Sequence, residues 1–339
     1  MNGKEIIYDA VISLGNSCIP AHHIQANCLS TSTFPFDWLC IPSIKMVHEL
    51  MENNFNSFMK FENLTPLDPQ PGDAYYQMQV HDTATDITFV HDYPRADDTL
   101  SIRYEYIIEK YKQRIWWLNE VFKKGGRCLF IRDRNHHDDD KPEDYADFVK
   151  FIKGYNPSND VWTTQILKTE ELVCEDLPEG VVNWVISNKD DILRGMNWMG
   201  NHAHWNKMFS NIYLRSTMRM KKYLESNVNK MIDFARKSGK PVVFWGNGSG
   251  QRLLPYFING GIVPQIYNEN GSMEYNVAYT QVTAAGEMMD KSRFVAVTAS
   301  VWSGWHDVMQ TLRESDLTEG KDYAAMPEGM DYIMSMGNL

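Results

Sequence analysis

Apolar, β-branched residues run through Asp9–Leu14 (DAVISL) until Gly15-Asn16-Ser17 interrupts them, and helical spacing begins near Ile19. The pattern predicts a strand, a tight turn and a helix. The same grammar recurs downstream: an amphipathic stretch over Tyr104–Phe122, a buried-strand run at Arg127–Arg132 (RCLFIR), and helical spacing over Tyr145–Gly154. Short strands are expected at Ile87–Val90, Thr163–Lys168 and Val181–Ile186, followed by one long helix from about His204 to Lys237. Strands that alternate with helices predict an α/β fold with mainly parallel sheets flanked by helices.

At 339 residues the chain is long enough for two cores. The break Ser238-Gly239-Lys240-Pro241 divides it into expected domains of 1–237 and 238–339. Beyond the break, PVVFWGNGSGQRLLPYFINGGIVPQIYNEN reads as strand, glycine loop, helix and strand. A further strand over Arg293–Ala299 and a helix near His306–Glu314 continue a Rossmann-like unit. Gly246, Gly248 and Gly250 would let the backbone turn tightly and aim N–H groups at an anion, and Glu269 stands where an acidic residue would hold ribose hydroxyls. The occupant expected there is a nucleotide or nucleotide-sugar; the alternative is that the glycines only permit close strand–helix packing.

Charge and cysteine usage narrow the functional classes. A net charge of -11 without a basic stripe argues against nucleic acid as a partner, and no stretch reaches the ~18 uninterrupted apolar residues of a membrane span. Five cysteines at irregular spacing, four of them (Cys28, Cys40, Cys128 and Cys174) in or beside apolar runs, suit free thiols and a cytoplasmic location. His136 and His137 precede three aspartates, but this cluster lacks ligand spacing and reads as a solvated loop, so no metal site is expected.

The fifth cysteine carries the candidate chemistry. Cys18 stands at a helix start marked by Pro20, where the positive end of the helix dipole would favour thiolate. Its base would be His22, four residues on, or better His91, at the end of the Ile87–Val90 strand. Asp92 follows His91 but points to the opposite side of a regular strand, which weakens it as an orienting group. The pair predicts a sulfur-to-imidazole distance within about 4 Å, or one water, at the C-terminal edge of the sheet. The competing reading makes Cys18 a small buried residue closing the turn.

Other polar residues are candidates for substrate contacts. Asp37 lies between aromatics in FPFDW, beside Trp38, and is either a buried carboxylate satisfied by backbone donors or a substrate-facing acid. Arg132, at the end of the CLFI strand, could grip a phosphate or carboxylate, or form an ion pair. Trp198 and His204 could line a pocket wall in a loop, with core packing the alternative.

SLGNSC (Ser13–Cys18), FPFDW (Phe34–Trp38), FVHD (Phe89–Asp92), the Arg114 helix running into CLFIR, and Trp198-Met199-Gly200 with Trp205 resemble, in this order, a bacterial family of unknown function catalogued as papain-like cysteine peptidases. The resemblance spans about residues 8–212. It implies Cys18 as nucleophile and His91 as base, with Asn16 or Asp37 able to donate or accept nearby. The activity implied is a cysteine-dependent hydrolase or acyl-transfer enzyme acting on a small-molecule, peptide or glycan substrate. The last hundred residues resemble Rossmann-like domains attached to enzymes of bacterial surface-polysaccharide pathways. That resemblance implies, as the alternative, a nucleotide-sugar or glycan-binding transferase or accessory protein without cysteine catalysis.

Overall fold

The computed structural model describes residues 4–68, 77–94, 99–134, 140–167, 177–187, 202–245, 253, 256–262, 291–292, 294–297, 309–310 and 312–327. The chain forms two compact units, one of Met1–Ile24 with Leu29–Asp190, the other of Gln25–Cys28 with Asp191–Leu339. It is a mixed α/β protein with mainly parallel sheets.

In chain order the elements of the first unit begin with β1 (Ile6–Tyr8), β2 (Ala10–Ser13) and α1 (Ile19–Ala26), whose last two residues fall in the second unit. Then come β3 (Leu39–Cys40), α2 (Ile44–Glu52), β4 (Leu64–Pro66), β5 (Gln77–Asp82), β6 (Ile87–Pro94), α3 (Thr99–Lys123), β7 (Cys128–Arg134), α4 (Pro142–Tyr155), β8 (Asp160–Leu167) and β9 (Val181–Ser187). Two four-stranded sheets result: a parallel one ordered β2-β7-β8-β9 and an antiparallel one ordered β3-β6-β5-β4. The parallel sheet follows from β2 and from the apolar Cys128–Ile131 half of β7, which are buried. The antiparallel sheet has no counterpart in the sequence expectation, because β3 and β4 are too short to show a period. Both sheets feed one core, in which Ile12 and Phe130 belong to the same buried cluster as Leu39, Val80 and Phe89.

Local signals mark the starts of two helices, of which α2 had no counterpart in the sequence expectation. Ser43 caps α2 by accepting from the Met46 N–H at 3.1 Å, and α4 opens with a proline in its first turn.

The second unit contains α5 (His202–Met208), β10 (Ile212–Leu214), α6 (Met218–Ser238), β11 (Val242–Trp245), β12 (Phe294–Val297) and β13 (Tyr323–Ala325). The single helix expected from His204 to Lys237 is thus two helices separated by a strand. The chain leaves α5 at Phe209–Asn211, and Lys221 of α6, fully buried, donates to the Phe209 and Ile212 carbonyls at 2.8 and 2.7 Å, holding that break. The break at Ser238–Pro241 is the end of α6, closed by Gly239 at φ 63°. The apolar face of α6 packs with Val242, Phe257 and Phe294 inside this unit. β11, β12 and β13 form a parallel three-stranded sheet. Gly246, Gly248, Gly250, Glu269 and Trp198 lie outside the described residues. Among the described residues, no helix is long and apolar enough to cross a membrane.

Candidate active site

β2 stops at Ser13, and the chain must reverse within a few residues to start α1. Gly15 takes φ 72° there, the left-handed region that glycine enters at no steric cost. A Cβ at this position would lie 2.6 Å from Ile41 Cδ1, so the turn also needs the missing side chain. Asn16 follows at φ 72°, a conformation asparagine tolerates better than most residues. The carbonyl of Cys18 then accepts the first α1 hydrogen bond, from the His22 N–H at 3.0 Å.

The turn is anchored to the neighbouring strand through Asp133 of β7. Asn16 Nδ2 donates to the Asp133 carbonyl at 2.8 Å, and Ser17 Oγ donates to its carboxylate at 2.6 Å, where Thr164 Oγ1 donates as well at 3.1 Å. Burial pushes the Asp133 carboxyl up, while the bonds from Ser17 and Thr164 pull it down. Asn16, a candidate for the reacting centre, spends its side-chain amide on this anchor.

His91 reaches the cysteine from the antiparallel sheet, not from the end of a parallel strand. β6 continues to Pro94, so His91 lies within the strand rather than at its end. Val80 of β5 faces Phe89, but Met78 faces Tyr93, so Val90, His91 and Asp92 stand against Gln79 alone. This bulge turns the imidazole outward. Cys18 Sγ lies 3.1 Å from His91 Nε2. The Trp38 indole meets the imidazole edge-on with ring centroids 5.8 Å apart, which fixes the ring's tilt. Trp38 holds φ 67°, a strained value for a bulky residue, so non-glycine left-handed backbone flanks the pair on both sides. His22, the other candidate base, instead lies edge-on to His23 with centroids 5.0 Å apart.

Burial opposes the helix-start effect expected at Cys18: it pushes the thiol up to about 12, and Cys40 and Asp92 push in the same direction. Burial lowers His91, with Asp92 opposing that shift and Lys110 reinforcing it. The resting pair is therefore a neutral thiol beside a neutral imidazole. Such a pair can pass a proton from sulfur to Nε2 as sulfur attacks, the general-base route of a serine nucleophile.

The remaining candidates separate. Asp92 faces α3, where Lys110 Nζ pairs with one carboxylate oxygen and Tyr111 OH donates to the other at 2.6 Å. Asp37 is buried and accepts from the Phe34 N–H at 2.8 Å; burial pushes its carboxyl up to about 7, against the pull of that bond and of Arg114. Arg132 has no exposed surface and no access to a substrate. Its guanidinium donates to Asp140 at 3.1 Å and to the Leu14 and Ile41 carbonyls at 3.0 Å each, so it ties the end of β2 to the residues after β3. An arginine read as a ligand grip is a buried clamp, satisfied by the protein itself. His204 lies on α5, not in a loop, and belongs to the second unit.

Of the cysteines expected in the core, Cys28 and Cys128 are buried and Cys40 is half-buried; Cys174 lies outside the described residues. Among the described residues no group of three or more His, Cys, Asp or Glu could hold a metal ion. Sequence reasoning missed Ser17 and Thr164, whose hydroxyls carry no pattern, and Lys110 and Tyr111, which read as ordinary positions of an amphipathic helix.

No solved structure matches the chain. It is 28% identical over 134 residues to "Uncharacterized protein R408" of Acanthamoeba polyphaga mimivirus, a match covering 36% of this chain and 60% of that protein. Residues 9–167, which carry Cys18, Trp38, His91 and Asp133, match the family model described as "Putative papain-like cysteine peptidase (DUF1796)".

Proposed function

We propose that the first unit is a cysteine-nucleophile hydrolase or acyl-transfer enzyme, with Cys18 as nucleophile and His91 as its base. The 3.1 Å contact between Sγ and Nε2 carries this reading, and the family match over residues 9–167 supports it. In the proposed reaction Sγ bonds to an acyl carbon as its proton moves to His91 Nε2. The imidazolium then gives that proton to the leaving group as the acyl bond breaks, leaving a thioester on Cys18. Water, or another acceptor, is deprotonated by the same imidazole and attacks the thioester, which releases the acyl group and restores the thiol. Asn16, Ser17 and Asp133 hold the turn, and Trp38 holds the ring.

The test is brief iodoacetamide treatment of the folded protein with peptide mapping, beside turnover of a panel of activated esters and amides. Cys18 is expected to be modified ahead of Cys40, Cys28 and Cys128, with His91→Ala slowing the modification and Cys18→Ala abolishing turnover. Labelling of Cys18 no faster than that of Cys40, or turnover unchanged in Cys18→Ala, would refute the reading.

For the second unit we propose a Rossmann-like nucleotide-binding role. Its support is the parallel β11-β12-β13 sheet, whose first strand runs directly into the sequence Gly246-Asn247-Gly248-Ser249-Gly250. A rise in melting temperature with nucleotides or nucleotide-sugars tests it, and no response across that panel would count against it.

A further inference from the structure

Asp92 poses a problem for the proposed base. It is the residue next to His91 on the bulge, its side chain is 5% exposed, and an uncompensated carboxylate there would draw a proton onto the imidazole and occupy the site that must accept one. Two residues of α3 answer it. Lys110 Nζ forms an ion pair with one carboxylate oxygen, and the fully buried Tyr111 donates its hydroxyl to the other at 2.6 Å. Arg114, one turn along α3, covers the Tyr111 ring at 4.8 Å from its centroid, so the phenol is packed from above.

We propose that Lys110 and Tyr111 are positioning residues for His91: they anchor Asp92 so that the bulge presents the imidazole to Cys18, and Lys110 cancels the carboxylate charge that would otherwise keep Nε2 protonated. The inference rests on the reading of His91 as base. The groups around the imidazole are consistent with it. Burial keeps Cys18, at the start of α1, a thiol, Trp38 is uncharged, and among the described residues the charges of Asp92 and Lys110 act on the ring in opposite directions. Neither α3 residue touches the sulfur or the reacting nitrogen.

Opposed charges give variants opposed signatures. In the full chain, the His91 imidazole is titrated by NMR, its signal identified by its loss in His91→Asn, and Cys18 alkylation is followed against pH in parallel. Lys110→Met should move the His91 midpoint, and the acid limb of alkylation, to higher pH. Asp92→Asn should move both to lower pH, and the double variant should return them towards the wild type. Lys110→Arg, which keeps the charge, should restore the wild-type limb. Tyr111→Phe leaves both charges in place and should slow alkylation without moving the limb. Midpoints unchanged in both charge variants, or moved in the same direction, would overturn the proposal, as would a limb displaced by Tyr111→Phe as far as by Lys110→Met. The NMR midpoint is read whether or not Cys18 is catalytic, so failure here is distinct from failure of the hydrolase reading.

Discussion

Replacing Gly15 by alanine tests how far the site depends on one backbone turn. Two costs add. The residue holds φ 72°, and an L-residue in the left-handed region gives up roughly 1–2 kcal/mol. The new Cβ would also meet Ile41 Cδ1 at 2.6 Å and Cγ1 at 2.7 Å, an overpacking that costs about 1–3 kcal/mol as the neighbours shift. The sum, about 2–5 kcal/mol, is a large part of the ~5–15 kcal/mol that stabilises a typical domain. Denaturant titration of the wild type, Gly15→Ala, Ile41→Ala and the double variant separates the two costs. Ile41→Ala removes both close atoms and leaves only Cβ, 3.3 Å away, so the double variant should cost about 1–3 kcal/mol less than the sum of the singles. The Ile41 carbonyl that binds Arg132 is unchanged in every variant. Strict additivity would mean that the clash is absent. A Gly15→Ala protein as stable as the wild type would refute the turn geometry altogether.

Three further outcomes concern Arg132, Asp37 and His91. Arg132→Met should destabilise the fold by about 3–5 kcal/mol in denaturant titration, because it strands the buried Asp140 carboxylate and two carbonyls; normal stability with weakened substrate binding would restore the ligand-grip reading. The Asp37 carboxyl is raised in the folded state to about 7, so its contribution is complete below the unfolded value near 4 and is lost as pH rises through about 7. Three pKa units at ~1.36 kcal/mol each give on the order of 4 kcal/mol, and Asp37→Asn should gain on the wild type by up to that amount between pH 4 and 8; parallel stability curves for the two proteins would contradict this. His91 is lowered from its ordinary value of 6.5, so the acid limb of Cys18 alkylation should fall below pH 6.5 with a plateau through neutrality, and a limb above pH 7 would show the imidazole to be charged at rest.

The parallel sheet was legible because β2 and the Cys128–Ile131 half of β7 are buried apolar runs bounded by turn residues, and β8 and β9, though β9 exposes Val182 and Val185, keep β-branched and aromatic residues between turn signals. Cys18 and His91 were legible as types, a thiol at a strand–helix turn and an imidazole beside a strand. Their pairing within about 4 Å was expected as well and is found at 3.1 Å; hidden from the sequence was the route, since His91 arrives from an antiparallel sheet through a two-residue strand, β3, and a bulge marked by the register opposite Gln79. Arg132 misled because a strand-end arginine looks the same whether its partners are ligand or backbone, and those partners, Leu14 and Ile41, lie 118 and 91 residues away. The helix break at Phe209–Asn211 was hidden for a similar reason. Lys221 keeps the amphipathic spacing of α6 while its ammonium satisfies the carbonyls of the break.

The two halves of the candidate site come from different sheets and meet across 73 residues of chain. Neither sheet holds the sulfur and the imidazole at contact distance alone; the core they share and the Arg132 clamp between Leu14 and Ile41 bring them together. The selectivity of a small alkylating reagent for Cys18 over Cys40 is thus a gauge of sheet-to-sheet docking, sensitive to a parting of about one ångström that circular dichroism would not register. Under mild denaturant that selectivity should disappear while both sheets remain hydrogen-bonded, which makes the thiol an internal probe for the first cooperative opening of the unit.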